Sequence, residues 1–157
     1  MSEKIRPILA AEDEESDRMI LELAFGSAKL PCPLVFVPDG QEAMDYLSGK
    51  GRYADRAAHP LPALIVLDLK MPRMNGFDVL GWLAEQPDLK QIPAVVLSSS
   101  AHECDMNIAR QLGAREYFVK QHSLDELIII AHQMQARWLS AATTDIITQP
   151  MNNSTIP

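Results

Sequence analysis

Short apolar segments alternate with amphipathic segments along most of the chain. The apolar segments cover residues 5–11, 34–37, 63–67, 93–97 and 115–119. Each is bounded by acidic residues, proline or glycine, which is typical of strands that are buried within a sheet. The pattern therefore predicts five strands.

The segments between these strands, and the one after the last strand, have helical periodicity. They lie at roughly residues 15–29, 40–48, 76–85, 103–112 and 123–139. Asp39, Asn75 and Ser123 stand where a side chain can cap the first turn of a helix. The last segment has the clearest buried face, because its apolar residues recur at the i, i+3, i+4 and i+7 positions. These residues are Leu124, Leu127, Ile128, Ala131, Met134 and Trp138.

The alternation of strands and helices indicates a parallel sheet whose right-handed crossovers place helices on both faces. We therefore predict an α/β fold, a three-layer doubly wound domain of five strand–helix units, (βα)5. Ligands of such sheets bind beyond the carboxyl ends of the strands, where the strand order reverses. Functional residues are thus expected at those strand ends.

Polar residues with distinct chemistry follow four of the five predicted strands. The first strand ends at Glu12 and Asp13, the third at Asp68, the fourth at Ser98 and the fifth at Lys120. Carboxylates that converge on one crevice repel one another unless a cation lies among them, and hard oxygen ligands suit Mg²⁺. A carboxylate can also attack a phosphoryl group and form an acyl phosphate. Lys120 and Ser98 could then stabilise the transferred charge.

Composition excludes several other classes of protein. A chain of 157 residues with 47% hydrophobic residues suits one compact domain. The net charge of -7 and the scattered basic residues argue against a nucleic-acid-binding protein. The two cysteines, Cys32 and Cys104, have neither metal-ligand spacing nor a disulfide pattern. With no signal peptide and no run of 18 apolar residues, a cytoplasmic protein without a membrane segment is expected.

Four motifs, in their order and spacing, resemble the receiver domain of two-component response regulators, the CheY-like fold. The motifs are "AAED", "LIVLDLKMPRMNG", "VVLSSS" and "YFVK". The resemblance covers about residues 5–139 and implies a flavodoxin-like parallel sheet with the strand order 2-1-3-4-5. The stretch from Gly49 to Leu61 is similar to a longer loop in stand-alone receivers related to the regulator of cyanobacterial phytochrome.

The resemblance implies a role for each carboxylate at the strand ends. Asp68 is the expected phosphoacceptor, and Asp13 and Asp68 are expected to bind Mg²⁺ directly. The backbone carbonyl of Lys70 is the expected third protein ligand. Glu12 is expected to act through a bound water.

The resemblance also implies which residues hold the phosphoryl group and report its presence. The hydroxyl group of Ser98 and the amine of Lys120 are expected to bind phosphoryl oxygens. Tyr117 is expected to swing inward and to form the switch pair with Ser98. Pro72 and Gly76 match loop residues of the family, and Gly76 is expected to supply backbone freedom that a Cβ would restrict.

One position departs from the family pattern. The lysine is usually followed by proline, often through a cis peptide, whereas Lys120 is followed by Gln121. A cis bond before a residue other than proline costs about 2.5–4 kcal/mol, so a trans peptide is expected there. We expect this change to alter the path of the chain into the last helix.

The resemblance implies a protein that accepts a phosphoryl group from a histidine kinase or a histidine phosphotransfer protein and is not otherwise an enzyme. Residues 1–139 would form the receiver, and residues 140–157 a polar, poorly ordered tail too short for an output domain. A stand-alone receiver is expected to signal by contact with a protein partner. A phytochrome-like kinase is an expected donor. A homodimer through the fifth strand and the last helix is also expected, because Ile129 and Ile130 add apolar surface there.

Other functions fit parts of the pattern. A haloacid-dehalogenase-like phosphohydrolase also uses an aspartate nucleophile, but it needs a second aspartate where Lys70 stands. A flavodoxin needs a loop rich in hydroxyl groups and glycine where this chain has "EDEESD". A receiver that acts only as a phosphorylation-independent interaction module stays open at this stage.

Overall fold

The computed structural model describes residues 5–120 and 122–139. Its sheet has five parallel strands in the order 2-1-3-4-5, numbered along the chain, which confirms the predicted doubly wound α/β fold. The strands are β1 (Ile8–Ala11), β2 (Leu34–Val37), β3 (Leu64–Leu67), β4 (Ala94–Ser98) and β5 (Glu116–Val119). The helices are α1 (Glu15–Ser27), α2 (Gly40–Ser48), α3 (Gly76–Ala84), α4 (Glu103–Gln111) and α5 (Leu124–Met134). The predicted trans peptide at Gln121 and the predicted tail at 140–157 lie outside the described residues.

The bounds of two elements differ from the prediction by three residues or more, and the other bounds agree within two residues. The first strand begins at Ile8 rather than at residue 5, because Pro7 has no N–H group to donate to a neighbouring strand. The last helix is α-helical only to Met134, and a π-helical turn continues it over Gln135–Leu139. The wider turn places Leu139, five residues after Met134, in the core, a position that regular helical periodicity does not predict.

The buried face of α5 differs from the predicted stripe at two positions. Leu127 and Met134 are buried as predicted, but Leu124 in the first turn is 37% exposed. Ile130 was expected to add exposed apolar surface, and this expectation is wrong: it lies three residues after Leu127 and shares the buried face. Ile129 is 54% exposed, so it alone of this isoleucine pair offers apolar surface to solvent.

The central strands β1, β3 and β4 are buried along their whole lengths. Their alternate side chains point to opposite faces of the sheet: Leu9, Ile65 and Val96 join one core cluster, whereas Ile8 and Val66 join the other. Because helices cover both faces, these strands are apolar throughout rather than at alternate positions. In the described part of the chain, no helix combines the length and the apolar character needed to cross a membrane.

Three helices begin at the capping residues that the sequence predicts. The side chains of Asp39 and Ser123 each accept a hydrogen bond from the backbone N–H three residues later, at 2.8 and 3.3 Å. Asn75 and Asp78 form a full capping box at the start of α3. These side chains satisfy N–H groups that a helix start leaves without partners.

The long loop over residues 49–61 is held against the end of α2. The guanidinium group of Arg56 donates to the backbone carbonyls of Tyr46 (2.7 Å), Leu47 (2.6 Å) and His59 (3.0 Å). It thereby satisfies carbonyl groups at the helix end that have no partner within the helix. The rings of Tyr46 and His59 also meet edge to face, 5.8 Å apart. The loop therefore has fixed contacts of its own.

Candidate functional site

The carboxyl ends of β1, β3 and β5 bring four of the predicted site residues together. Glu12 and Asp13 follow β1, Asp68 follows β3 and Lys120 follows β5. Because β1 and β3 are in register up to their last residues, the residues that follow them emerge side by side. Asp13, Asp68 and Lys120 line a cavity of about 620 Å³ at this edge of the sheet, together with Lys70.

Lys120 is the cation at the centre of this cluster. Its Nζ atom lies 2.8 Å from Oε1 of Glu12, 3.1 Å from Oδ2 of Asp68 and 3.1 Å from Oδ2 of Asp17. Its side chain is only 11% exposed. Burial lowers the pKa of Lys120, but the bond to Glu12 and the charge of Asp68 outweigh burial and raise the pKa above its usual value. Lys120 is therefore a fixed positive charge beside Asp68.

Glu12 is almost completely buried, with 2% of its surface exposed. Burial raises the pKa of Glu12 above its usual value, although the bond from Lys120 opposes this shift. Its second oxygen, Oε2, accepts a hydrogen bond from the backbone N–H of Glu14 (3.1 Å). Glu12 thus has a partner for each carboxylate oxygen and is the most buried of the three acceptors of Lys120.

The carboxylates of this cluster suit a hard divalent cation. One oxygen from each of Glu12, Asp13 and Asp68 lies within 4.8 Å of the others, the only such group of potential metal ligands found within residues 5–120 and 122–139. The carboxylates of Glu12, Asp17 and Asp68 contact one ammonium group, and Asp13 adds a fourth carboxylate beside Glu12 and Asp68, so the site has excess negative charge. Oxygen donors with excess negative charge fit Mg²⁺ or a similar ion. The backbone N–H of Lys70 donates to Oδ1 of Asp68 (3.3 Å), so the backbone at residue 70 lies beside the Asp68 carboxylate.

Ser98 and Tyr117, the predicted switch pair, are connected through Ser100. The N–H of Ser100 donates to Oγ of Ser98 (3.2 Å), and the hydroxyl of Tyr117 donates to the carbonyl of Ser100 (2.7 Å). Oγ of Ser100 donates to the Asp105 carboxylate in α4 (2.6 Å). Ser98 is fully buried, and it is its neighbour Ser99 that lines the cavity. The structure therefore places Ser98 at the predicted strand end, with its side chain behind the cavity wall.

Pro72 and Gly76 lie in the connection from Asp68 to α3. Pro72 is exposed, and its carbonyl accepts a hydrogen bond from the N–H of Met74 (2.7 Å). Gly76 does not have a positive φ angle, so a left-handed backbone conformation is not what requires glycine there. A Cβ atom there would lie 2.5 Å from the carbonyl oxygen of Asp68. Glycine is needed at this position because two backbone segments approach closely.

Asp17 belongs to the cluster although no motif of the sequence points to it. It lies in the first turn of α1, four residues after Asp13, and one helical turn brings its side chain back over the end of β1. The acidic run "EDEESD" was the available signal, but the run alone does not show which carboxylate meets Lys120. The hydrogen bond between Ser100 and Asp105 was also not predicted, because it depends on how the turn after β4 packs.

Comparisons with known proteins agree with this geometry. The family described as "Response regulator receiver domain" matches residues 8–132. Response regulator Rcp1 from Synechocystis sp. is 32% identical over 146 residues, which are 91% of this chain and 97% of Rcp1. The crystal structure of the phosphorylated cyanobacterial phytochrome response regulator RcpA has a TM-score of 0.79 at 36% identity, and the match covers 88% of this chain and 96% of RcpA. The Mn²⁺-bound form of Rcp1 has a TM-score of 0.75 at 31% identity, with 93% and 99% covered.

Proposed function

The chain belongs to the response regulator receiver domain family, and we propose that it accepts a phosphoryl group on Asp68 and signals by a change of conformation. The observation that carries this proposal is the position of Lys120, whose Nζ lies 3.1 Å from Oδ2 of Asp68 within a cavity lined by carboxylates. A nucleophilic oxygen and a fixed positive charge thus stand side by side. Phosphoryl transfer needs such a pair.

The donor in this proposal is a phosphohistidine of a histidine kinase or of a histidine phosphotransfer protein. A carboxylate oxygen of Asp68 attacks phosphorus, the phosphorus–nitrogen bond breaks, and the imidazole leaves with the electron pair and takes a proton from solvent. Water later hydrolyses the acyl phosphate and releases inorganic phosphate. The only part of this protein that changes covalently in these steps is the Asp68 side chain. Because the relative RcpA is named a phytochrome response regulator, a phytochrome-type kinase is the proposed donor.

The carboxylates around Asp68 would hold Mg²⁺ in this reaction. Asp13 and Asp68 would bind the ion directly with the backbone carbonyl of Lys70, and Glu12 would act through a water. Bound Mg²⁺ would neutralise part of the phosphoryl charge. The excess of carboxylates over ammonium groups in this cluster supports this assignment.

Ser98, Lys120 and Tyr117 would convert phosphorylation into movement. Lys120 and the hydroxyl group of Ser98 would each donate to a phosphoryl oxygen, and the Ser98 oxygen can still accept from Ser100, since a hydroxyl group both donates and accepts. Ser98 is fully buried, so the turn after β4 must shift before its hydroxyl group reaches the cavity. Tyr117 is bonded to the carbonyl of Ser100 and would shift with that turn. The equilibrium between two arrangements of the turn is the proposed switch.

The test of this function is modification by acetyl phosphate in the presence of Mg²⁺. We expect the intact mass to increase by one phosphoryl group, and the increase to be absent with EDTA and in Asp68→Ala. Asp88→Ala, which removes an exposed aspartate that does not line this cavity, is the matched control and should be modified like the wild type. Modification that persists in Asp68→Ala would exclude this acceptor. No modification of the wild type would favour the phosphorylation-independent interaction module.

We also propose that β5 and α5 form the contact face for a protein partner or a second copy of the chain. Ile129 and Leu124 are 54% and 37% exposed there. Exposed apolar surface marks a contact site where it forms a contiguous patch. We expect the light-scattering mass to rise to that of a dimer when beryllofluoride and Mg²⁺ are added, and Ile129→Asp to prevent the rise. A monomeric mass under both conditions would exclude the dimer.

A further inference from the structure

We infer that Asp17 is a positioning residue that restrains Lys120 in the unphosphorylated protein and competes with the phosphoryl group for it. This inference rests on the proposed phosphorylation of Asp68. Oδ2 of Asp17 lies 3.1 Å from Nζ of Lys120, the same distance as Oδ2 of Asp68. Asp17 is on α1, outside the set of carboxylates that could share a metal ion.

The three hydrogens of the Lys120 ammonium group each face a carboxylate. Glu12, Asp17 and Asp68 are its partners, at 2.8, 3.1 and 3.1 Å. An ammonium group has three donors and no more. A phosphoryl oxygen can therefore bind Lys120 only if one of these contacts is given up or shared.

The burial of the partners shows which contact is released most easily. Glu12 is 2% exposed, so water could not replace Lys120 beside it, and Asp68 itself carries the phosphoryl group. The Asp17 side chain is 36% exposed, and solvent can hydrate its carboxylate once Lys120 turns away. The free-energy cost of losing a charged partner is smallest where water can take the place of that partner. Asp17 is thus the partner that the phosphoryl group displaces.

A purely structural role for Asp17 makes a different prediction. Acidic residues in the first turn of a helix are favoured by the helix dipole, and both Glu15 and Asp17 occupy the first turn of α1. Glu15 is exposed and is not among the three partners of Lys120. Glu15→Gln therefore removes the same charge from the same helix end and leaves Lys120 untouched. It is the matched control for Asp17→Asn.

Two measurements on the full chain test the inference. The first is the rate at which the Lys120 ammonium hydrogens exchange with water, followed by NMR in the protein without ligands. Asp17→Asn should raise this rate about three- to tenfold, because one of the three charged acceptors is replaced by a neutral amide oxygen that binds the ammonium group more weakly, and Glu15→Gln should not. The second is the midpoint of a beryllofluoride titration with Mg²⁺. Asp17→Asn should lower the midpoint about three- to tenfold, because a competing negative charge has been removed.

The outcomes separate this inference from the proposed function. Faster exchange and tighter beryllofluoride binding in Asp17→Asn, with Glu15→Gln unchanged in both, support it. Unchanged exchange would show that Asp17 does not restrain Lys120, and equal or weaker beryllofluoride binding would show that it does not compete. A structural role would lower the thermal midpoint without tightening the binding. If the wild type binds no beryllofluoride, the proposed function is wrong. The competition between Asp17 and the phosphoryl group is then excluded as well, whatever exchange rates are measured for Lys120.

Discussion

A Lys120→Met variant is expected to acquire a phosphoryl group on Asp68 about 100-fold more slowly than the wild type, because removing one preorganised charge stabiliser costs about 10²–10³ in rate. Nζ of Lys120 is 3.1 Å from the Asp68 oxygen, so the positive charge already lies where phosphoryl charge would develop. Methionine keeps an unbranched apolar stem of similar length and removes only the charge. The rate is measured by intact mass at intervals after acetyl phosphate and Mg²⁺ are added.

The same variant is expected to bind Mg²⁺ more tightly than the wild type. Without the ammonium group, Glu12 and Asp68 lose their shared cation, and removing one partner of a buried ion pair costs about 3–5 kcal/mol. The free energy of unfolding should therefore fall in EDTA and recover when Mg²⁺ is added. Denaturant unfolding with and without Mg²⁺, together with calorimetric titration of the ion, measures both effects. These opposite changes in rate and metal affinity would not arise from general misfolding.

Lys120→Arg is the control for this substitution, because it keeps the positive charge in the cluster. In EDTA, the free energy of unfolding of Lys120→Arg should be closer to the wild-type value than that of Lys120→Met is. Phosphorylation of Lys120→Met at the wild-type rate would contradict the role given to the ammonium group. Unchanged Mg²⁺ affinity would contradict the view that Lys120 and the ion share the same carboxylates.

The strands and the residues at their ends could be predicted from the sequence because both depend on local signals. A continuous apolar run such as Leu64–Leu67 marks a strand that is covered on both faces. Asp68 and Lys120 could be identified because each directly follows such a run. The strand order came from the resemblance of four motifs, since hydrophobic periodicity does not determine which strands are neighbours.

Contacts between distant segments could not be predicted in the same way. Asp17 joins the site because α1 passes over the end of β1 and meets Lys120, which is 103 residues further along the chain. The burial of Ser98 depends on the turn after β4, and the wider π-helical turn decides that Leu139 enters the core. Gly76 could be assigned to its loop, but its physical role follows from a carbonyl group eight residues earlier. Each of these features is a property of packing in three dimensions.

Gly76→Ala is expected to lower the free energy of unfolding by about 3 kcal/mol, because the added methyl group has no room and overpacking forces the backbone to move. The Cβ atom would lie 2.5 Å from the carbonyl oxygen of Asp68 and 3.1 Å from Cα of Leu69. These are backbone atoms, so no side chain can turn aside to relieve the contact. Because the displaced carbonyl belongs to the proposed phosphoacceptor, phosphorylation by acetyl phosphate should slow as well. Urea unfolding measures the first effect and intact mass the second.

Gly81→Ala in the same helix is the matched control, and it is expected to change stability in the opposite direction. No atom lies within 4 Å of the position that a Cβ would take at Gly81. Replacing an interior helical glycine by alanine then stabilises the helix by about 1 kcal/mol, through the lower entropy of the unfolded chain and the higher helix propensity. If both alanine variants were equally stable, the close approach of Gly76 to Asp68 could not be what requires glycine there. Stability changes of opposite sign would show that glycine is required at position 76 because of the Asp68 carbonyl. They would also exclude the explanation that α3 tolerates no alanine.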